Sequence, residues 1–194
     1  MGGAAERRRE HGRPPDGGAA LRHDLSPPPV GALPKKDRLI IAGLVFFCVF
    51  NLTMDLYLIL HSQVLAEHAS TNWFAYLWVL YSDVDRGWIV DPWSLAQETL
   101  NVVVATLVNL WLIRAIVRRA PGRYPLQLGL GVCMVYSVVL YNAAGHLSGY
   151  AGMREKTLSS FALFYGSALP WVLFHAYLAY DAAVVLRRRL LVAR

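Results

Sequence analysis

Two acidic residues lie inside long apolar runs: Asp55 in LIIAGLVFFCVFNLTMDLYLIL and Glu98 in WSLAQETLNVVVATLVNLWLI. A carboxylate at bilayer depth costs several kcal/mol, so it faces a bundle interior and has a task. Two close carboxyls in a low dielectric cannot both ionise easily, and one proton is retained at neutral pH. A retained proton beside a dry cavity is the equipment for protonating an alkene. The second carboxylate, with an indole face such as Trp171, stabilises the resulting carbocation. General acid and general base are then neighbours. The alternative for the pair is a structural hydrogen-bonded couple.

Other chemistry lacks its motif. There is no glycine-rich phosphate loop, no HExxH and no nucleophile elbow. His61, His68, His146 and His175 have no metal-ligand spacing, so neither a metal nor a cofactor is expected. Cys48 and Cys133 are isolated within apolar runs and define no disulfide framework.

Four apolar segments must position these residues: Leu39–Ser62, Trp93–Val117, Pro125–Leu147 and Ser159–Leu186. Each is long enough to cross a hydrocarbon core of about 30 Å. At 194 residues and 56% hydrophobic, the chain reads as a single-domain, all-α membrane protein, a four-helix transmembrane bundle. An aromatic-rich loop joins helices one and two, and a short interfacial helix over the bundle mouth fits it. Asp91–Pro92 reads as an N-cap followed by proline at the first helical position.

The net charge of +6 follows topology, not nucleic acid. Arginine and lysine precede the first span, separate the second from the third and follow the fourth, whereas the stretch from Gln63 to Pro92 is acidic. The positive-inside rule then places both termini in the cytoplasm. Residues 1–37 read as a disordered basic tail, 38–187 as the membrane domain and 188–194 as a second basic tail.

At about 1.5 Å per residue, Asp55 and Glu98 lie roughly 10 and 7 Å from the outer ends of their spans. Helical spacing puts Asn51 with Asp55, Glu98 with Asn101, Asn142 with His146, Trp171 with His175 and Tyr177 with Asp181. Each span thus offers a polar stripe, and the economical bundle turns all of them around one cavity. Duller roles compete: Asn and Tyr often only join helices, His175 fits an interior histidine, and Asp181 fits a salt bridge with the Arg187–Arg189 run. Asn51 is expected to orient Asp55. Trp88, Asp91, Tyr136, His146, Tyr165 and His175 are the candidate substrate contacts.

The chain resembles the emopamil-binding protein family (the EXPERA domain), which includes sterol delta-eight to delta-seven isomerase and the sigma-two receptor. NLTMDLYLIL, LWVLYSDVDRGWIVDPWSLAQETL, PGRYPLQLGLGVCMVYSVVLY and, more loosely, ALPWVLFHAYLAYDA carry the resemblance over Leu39–Leu186. It implies that Asp55 is the acidic residue of the family's first motif, Glu98 the essential glutamate of the next helix, Trp88 a loop aromatic, Asp91 the acid before the second span, and Trp171 the cation-stabilising tryptophan. It also implies carbocation chemistry on a sterol-like substrate and homodimerisation, although Gly122, Gly129 and Gly131 make no GxxxG. The composition, rich in Ala, Arg and Gly, fits a divergent bacterial member. Four features depart from the family, one of them that Asp55 is shorter than the usual glutamate. The family's first-motif histidine is Asn51, the asparagine one turn before the tryptophan is Ala168, and a tail stands where the isomerases carry an extra span. The reading is an integral membrane enzyme acting on a lipophilic small molecule by acid/base carbocation chemistry, giving double-bond isomerisation. Its alternatives are a terpenoid or meroterpenoid cyclase and a non-catalytic sterol or lipid binder.

Overall fold

The computed structural model describes residues 33–86 and 92–192. Its four long helices are α1 (Lys35–His61), α4 (Pro92–Val117), α5 (Arg123–Leu147) and α6 (Leu158–Val192), all apolar enough to cross a membrane. Among the described residues, two short helices lie between the first pair: α2 (Leu65–His68) and α3 (Trp73–Ser82). The α1 helix begins at Lys35, within the stretch read as tail, and α6 runs to Val192 past the expected Leu186. Residues 1–32 of that tail fall outside the described residues.

Lipid tails are as apolar as leucine, so helix association depends on packing and interhelical hydrogen bonds. Ile40, Leu44, Leu112, Ile116, Leu130 and Leu178 fill the core toward the chain termini. Gly131 permits a close approach of α5 to α6, because a Cβ there would meet the His175 carbonyl at 2.6 Å and Ala179 N at 2.7 Å. At this terminal end Arg123 donates two hydrogen bonds to Asp37, at 2.9 and 2.6 Å. Lys36 pairs with Asp181 at 2.7 Å, and Gln127 Nε2 donates to the other Asp181 oxygen at 3.0 Å. Asp181 is therefore a structural ion pair as expected, but its partner comes from α1, not from the following arginines. The network ties α1 to α5 and α6 at the end remote from the two acids.

Both acid-bearing helices depart from α-geometry at the acids. Asn51–Asp55 and Asn101–Ala105 are single π-helical turns, closed by Leu56 N to Asn51 O and Thr106 N to Asn101 O. Such turns are rare and concentrate at functional sites. Thr53 Oγ1 bonds back to Val49 O at 2.7 Å, a contact that bends helices. The turns also interlock: Asn51 Nδ2 donates to Asn101 O at 2.9 Å and to Thr106 Oγ1 at 3.2 Å.

The aromatic loop folds over one end of the bundle. Asn72 caps α3 by accepting from Phe74 N and Ala75 N at 2.9 and 3.3 Å. Trp78 Nε1 donates to Met54 O in the first π-turn at 2.9 Å, which pins α3 to α1. Leu58, Leu65, Ala75 and Trp78 form a second core beneath this cover.

Candidate active site

A cavity of about 300 Å³ lies under α3, with walls from α1, α3, α4, α5 and α6. That volume is at the lower bound of small-molecule sites. Its polar centre is Asp55 from α1 and Glu98 from α4. The buried face of each helix carries them: Ile40, Leu44, Phe47, Asn51, Asp55 and Leu58 on α1, and Ser94, Glu98, Val102 and Ala105 on α4. Residues that alternate with this face, such as Leu52, Val103 and Val104, are exposed and available to lipid. The acids are 2% and 5% exposed, too little for water to solvate either.

The Asp55 carboxyl lies within hydrogen-bonding reach of the Glu98 carboxyl. Glu98 Oε2 also accepts from Asn101 Nδ2 at 3.1 Å. Asp55 Oδ2 is buried with no hydrogen-bond partner among the described residues. A hydrogen bond between two carboxyls requires a proton on one of them. The arrangement therefore suits a shared proton facing an apolar space, with an amide donor to hold the negative end on Glu98.

The remaining walls are mostly apolar or aromatic. Phe50 and Met54 come from α1, Leu77, Trp78 and Tyr81 from α3, and Met134 and Val138 from α5. Trp171 from α6 lines the cavity, with its ring 4.3 Å from Phe47 and edge-on to Phe50 at 5.6 Å. This packing fixes the orientation of the indole in the cavity wall. Ala168, one turn away, adds no polar atom to the same wall. Hydroxyl-bearing side chains complete the lining, Ser167 among them. Gln97 Nε2 donates to Ser137 Oγ at 3.0 Å, and Tyr81 and Tyr141 hydroxyls lie 2.8 Å apart.

The structure thus brings Asp55, Glu98 and Trp171 together in one cavity, but it sets other candidate residues elsewhere. The Asn51 amide donates to α4, at Asn101 O and Thr106 Oγ1, and so joins the two π-turns. Tyr136 is 64% exposed. It is two residues from Met134, and about 200° of helical rotation carries it off the cavity face. The Asn142–His146 stripe also misses the cavity. The inward face of α5 is Met134, Ser137, Val138 and Tyr141, and Asn142 Nδ2 returns to Val138 O at 2.8 Å. His146 is exposed and contacts Tyr150 at 3.1 Å, and Tyr150 contacts Tyr165 at 2.6 Å. His146 and Tyr165 therefore belong to a separate aromatic cluster at the loop end. His175 does sit beneath Trp171, stacked at 6.1 Å and 5°. It is buried, with Nδ1 bonded to Trp171 O at 2.8 Å, and supports the indole from behind without lining the cavity. Trp88 and Asp91 lie outside the described residues. Tyr81, Gln97, Ser137 and Tyr141 went unread as site residues. The helical phase of Ser137 and Tyr141 with Met134 was the available signal.

The chain is similar to known proteins of one family. The family model EXPERA (EXPanded EBP superfamily) matches residues 60–182. Isomeliandiol synthase of Ailanthus altissima is 24% identical over 146 residues, which are 75% of this chain and 69% of that protein. A 3-beta-hydroxysteroid-Delta(8),Delta(7)-isomerase of Cavia porcellus is 25% identical over 139 residues, covering 70% of this chain. A probable isomerase of the same name from Arabidopsis thaliana is 22% identical over 147 residues. The chain spans 59% and 65% of the lengths of these two isomerases.

Proposed function

The chain belongs to the EXPERA family, and on that premise we propose that it is a membrane-embedded enzyme that protonates an alkene of a sterol-like or isoprenoid substrate. The observation that carries this reading is the Asp55–Glu98 contact inside an apolar cavity that Trp171 also lines. The proton leaves the carboxyl pair for an alkene carbon, and the π electrons form the new C–H bond. Positive charge develops on the neighbouring carbon, between the carboxylates and the Trp171 face. The deprotonated carboxyl pair then takes a proton from an adjacent carbon, whose C–H electrons form the new double bond. The outcome is isomerisation, in keeping with the names of the two steroid isomerases.

Cyclisation is the second reading. Asn51 favours it, because this residue holds the π-turns together and cannot titrate, so no histidine relay stands beside Asp55. An initiating acid is then what the site offers most plainly. One similar protein is named a synthase, isomeliandiol synthase, and not an isomerase.

The test is conversion of a 3β-hydroxy-Δ8 steroid and of linear polyprenyl alkenes by purified protein in lipid nanodiscs. Asp55→Asn and Glu98→Gln should each lower turnover at least 100-fold, within the range for general acid–base catalysis. Their melting temperatures should stay near that of the parent. Full activity in both variants would sink the mechanism. Saturable binding without product in the parent protein would make the chain a lipid binder instead. From the charge distribution we also read both termini as cytoplasmic.

A further inference from the structure

A chain of hydroxyls leads out of the cavity. Tyr141 Oη donates to Asp85 Oδ2 at 2.7 Å. Its proton is thereby committed, so the 2.8 Å contact between the two phenols has Tyr81 as donor and Tyr141 as acceptor. Tyr81 and Tyr141 both line the cavity, whereas Asp85 follows α3 in the loop. Tyr81 also lies in the electrostatic range of Glu98. Burial pushes the Tyr81 phenol above its usual range, so it stays neutral and keeps its proton for hydrogen bonding.

Asp85 is held at a seam between two loops. Arg86 N donates to Gly152 O and Arg154 N to Asp83 O, each at 3.0 Å. The seam borders the aqueous side, since the Asp83 and Arg154 side chains beside it are 53% and 71% exposed. Gly152 makes room for the carboxylate: a Cβ there would meet Asp85 Oδ1 at 2.9 Å. A purely structural tyrosine pair has no need of a half-buried carboxylate as its outer terminus.

We propose that Tyr81, Tyr141 and Asp85 form a proton conduit between the cavity and water at the loop end. The inference rests on the acid-pair reading and deepens it. In the ligand-free cavity, a proton leaving the pair passes to a water and from that water to Tyr81 Oη. Tyr81 passes its own proton to Tyr141, and Tyr141 passes its own to Asp85. One proton arrives on Asp85, both phenols remain neutral, and the hydrogen bonds reverse. The return of a proton runs the same chain backwards. These residues are positioning and relay groups, and the acids remain the groups that touch the alkene.

The test needs no substrate. Ligand-free protein in nanodiscs is mixed rapidly into D2O, and the protonated-carboxyl stretch is followed by time-resolved infrared. Asp55→Asn and Glu98→Gln assign that band to the pair. Tyr141→Phe, Tyr81→Phe and Asp85→Asn should each slow its isotope shift at least 10-fold while melting temperature stays within a few degrees, and Asp85→Glu should restore part of the rate. Unchanged exchange in the three variants overturns the conduit and leaves the acid pair standing. Absence of a protonated-carboxyl band that the acid variants remove overturns the acid pair and the conduit with it. If Tyr141→Phe fails to fold, Asp85→Asn decides alone, because the amide keeps an acceptor for Tyr141 but cannot take a proton.

Discussion

Asp55 and Glu98 form a pair in which each side chain has a distinct environment. Glu98 receives the Asn101 amide, whereas Asp55 Oδ2 has no donor among the described residues. The asymmetry makes different variants informative. Asn101→Ala removes the donor but leaves the carboxyls in place, and its turnover should fall about 10-fold, a smaller loss than Glu98→Gln causes. Steady-state kinetics on a converted substrate checks this, and equal losses would contradict the assigned order. Both acids were legible from the sequence, because a charge inside an apolar run is conspicuous. Tyr141 was not, because a tyrosine in a span is ordinary until its hydroxyl is seen to meet Tyr81 and Asp85. The misplaced Tyr136 and His146 show the same limit. Residue type nominated them, but helical phase placed them on other faces.

At the level of the helices, two π-turns set the phase of the site. A π-turn contains one residue more than the α-turn it replaces, and one residue is about 100° of rotation. Deleting Val103, an exposed residue of the second π-turn, should restore α-spacing and turn Glu98 away from Asp55 relative to the core at Leu112 and Ile116. The expected result is turnover reduced at least 100-fold with helix content retained by circular dichroism. Activity near the parent level would mean that the π-turn has no role in positioning Glu98. The four spans were legible because length and hydropathy determine them. Their ends agree within a few residues for all but the two termini of the bundle. The π-turns were not legible, since neither contains Pro or Gly and each depends on hydrogen bonds across the helix pair. Asn51 illustrates this: its spacing from Asp55 pointed to a local partner, but the amide reaches α4 instead.

For the whole molecule, stability and chemistry occupy opposite ends. Toward the chain termini, the buried Arg123–Asp37 pair and the Lys36–Asp181–Gln127 group join α1, α5 and α6. Removing one partner of a buried ion pair leaves an uncompensated charge, at a cost of about 3–5 kcal/mol. Asp37→Asn should therefore lower the melting temperature markedly while folded protein keeps its turnover rate. Unchanged stability would show that Arg123 finds water or another partner. At the other end, α3 and the loop seam cover the cavity, and Gly152→Ala should crowd Asp85 and slow carboxyl exchange without unfolding the bundle. Both halves follow from the overall hydrophobic pattern, but the separation of their roles required the pairings across the bundle.

In the proposed mechanism the Asp55–Glu98 pair delivers a proton to carbon. The most direct measurement of this transfer is turnover of a 3β-hydroxy-Δ8 steroid or a polyprenyl alkene in D2O, with mass-spectrometric analysis of the product. The account predicts solvent deuterium bound to carbon in the product of the parent protein, and no labelled product above background from Asp55→Asn or Glu98→Gln. Product formed without carbon-bound deuterium, or labelled product from both variants at the parent rate, would contradict it.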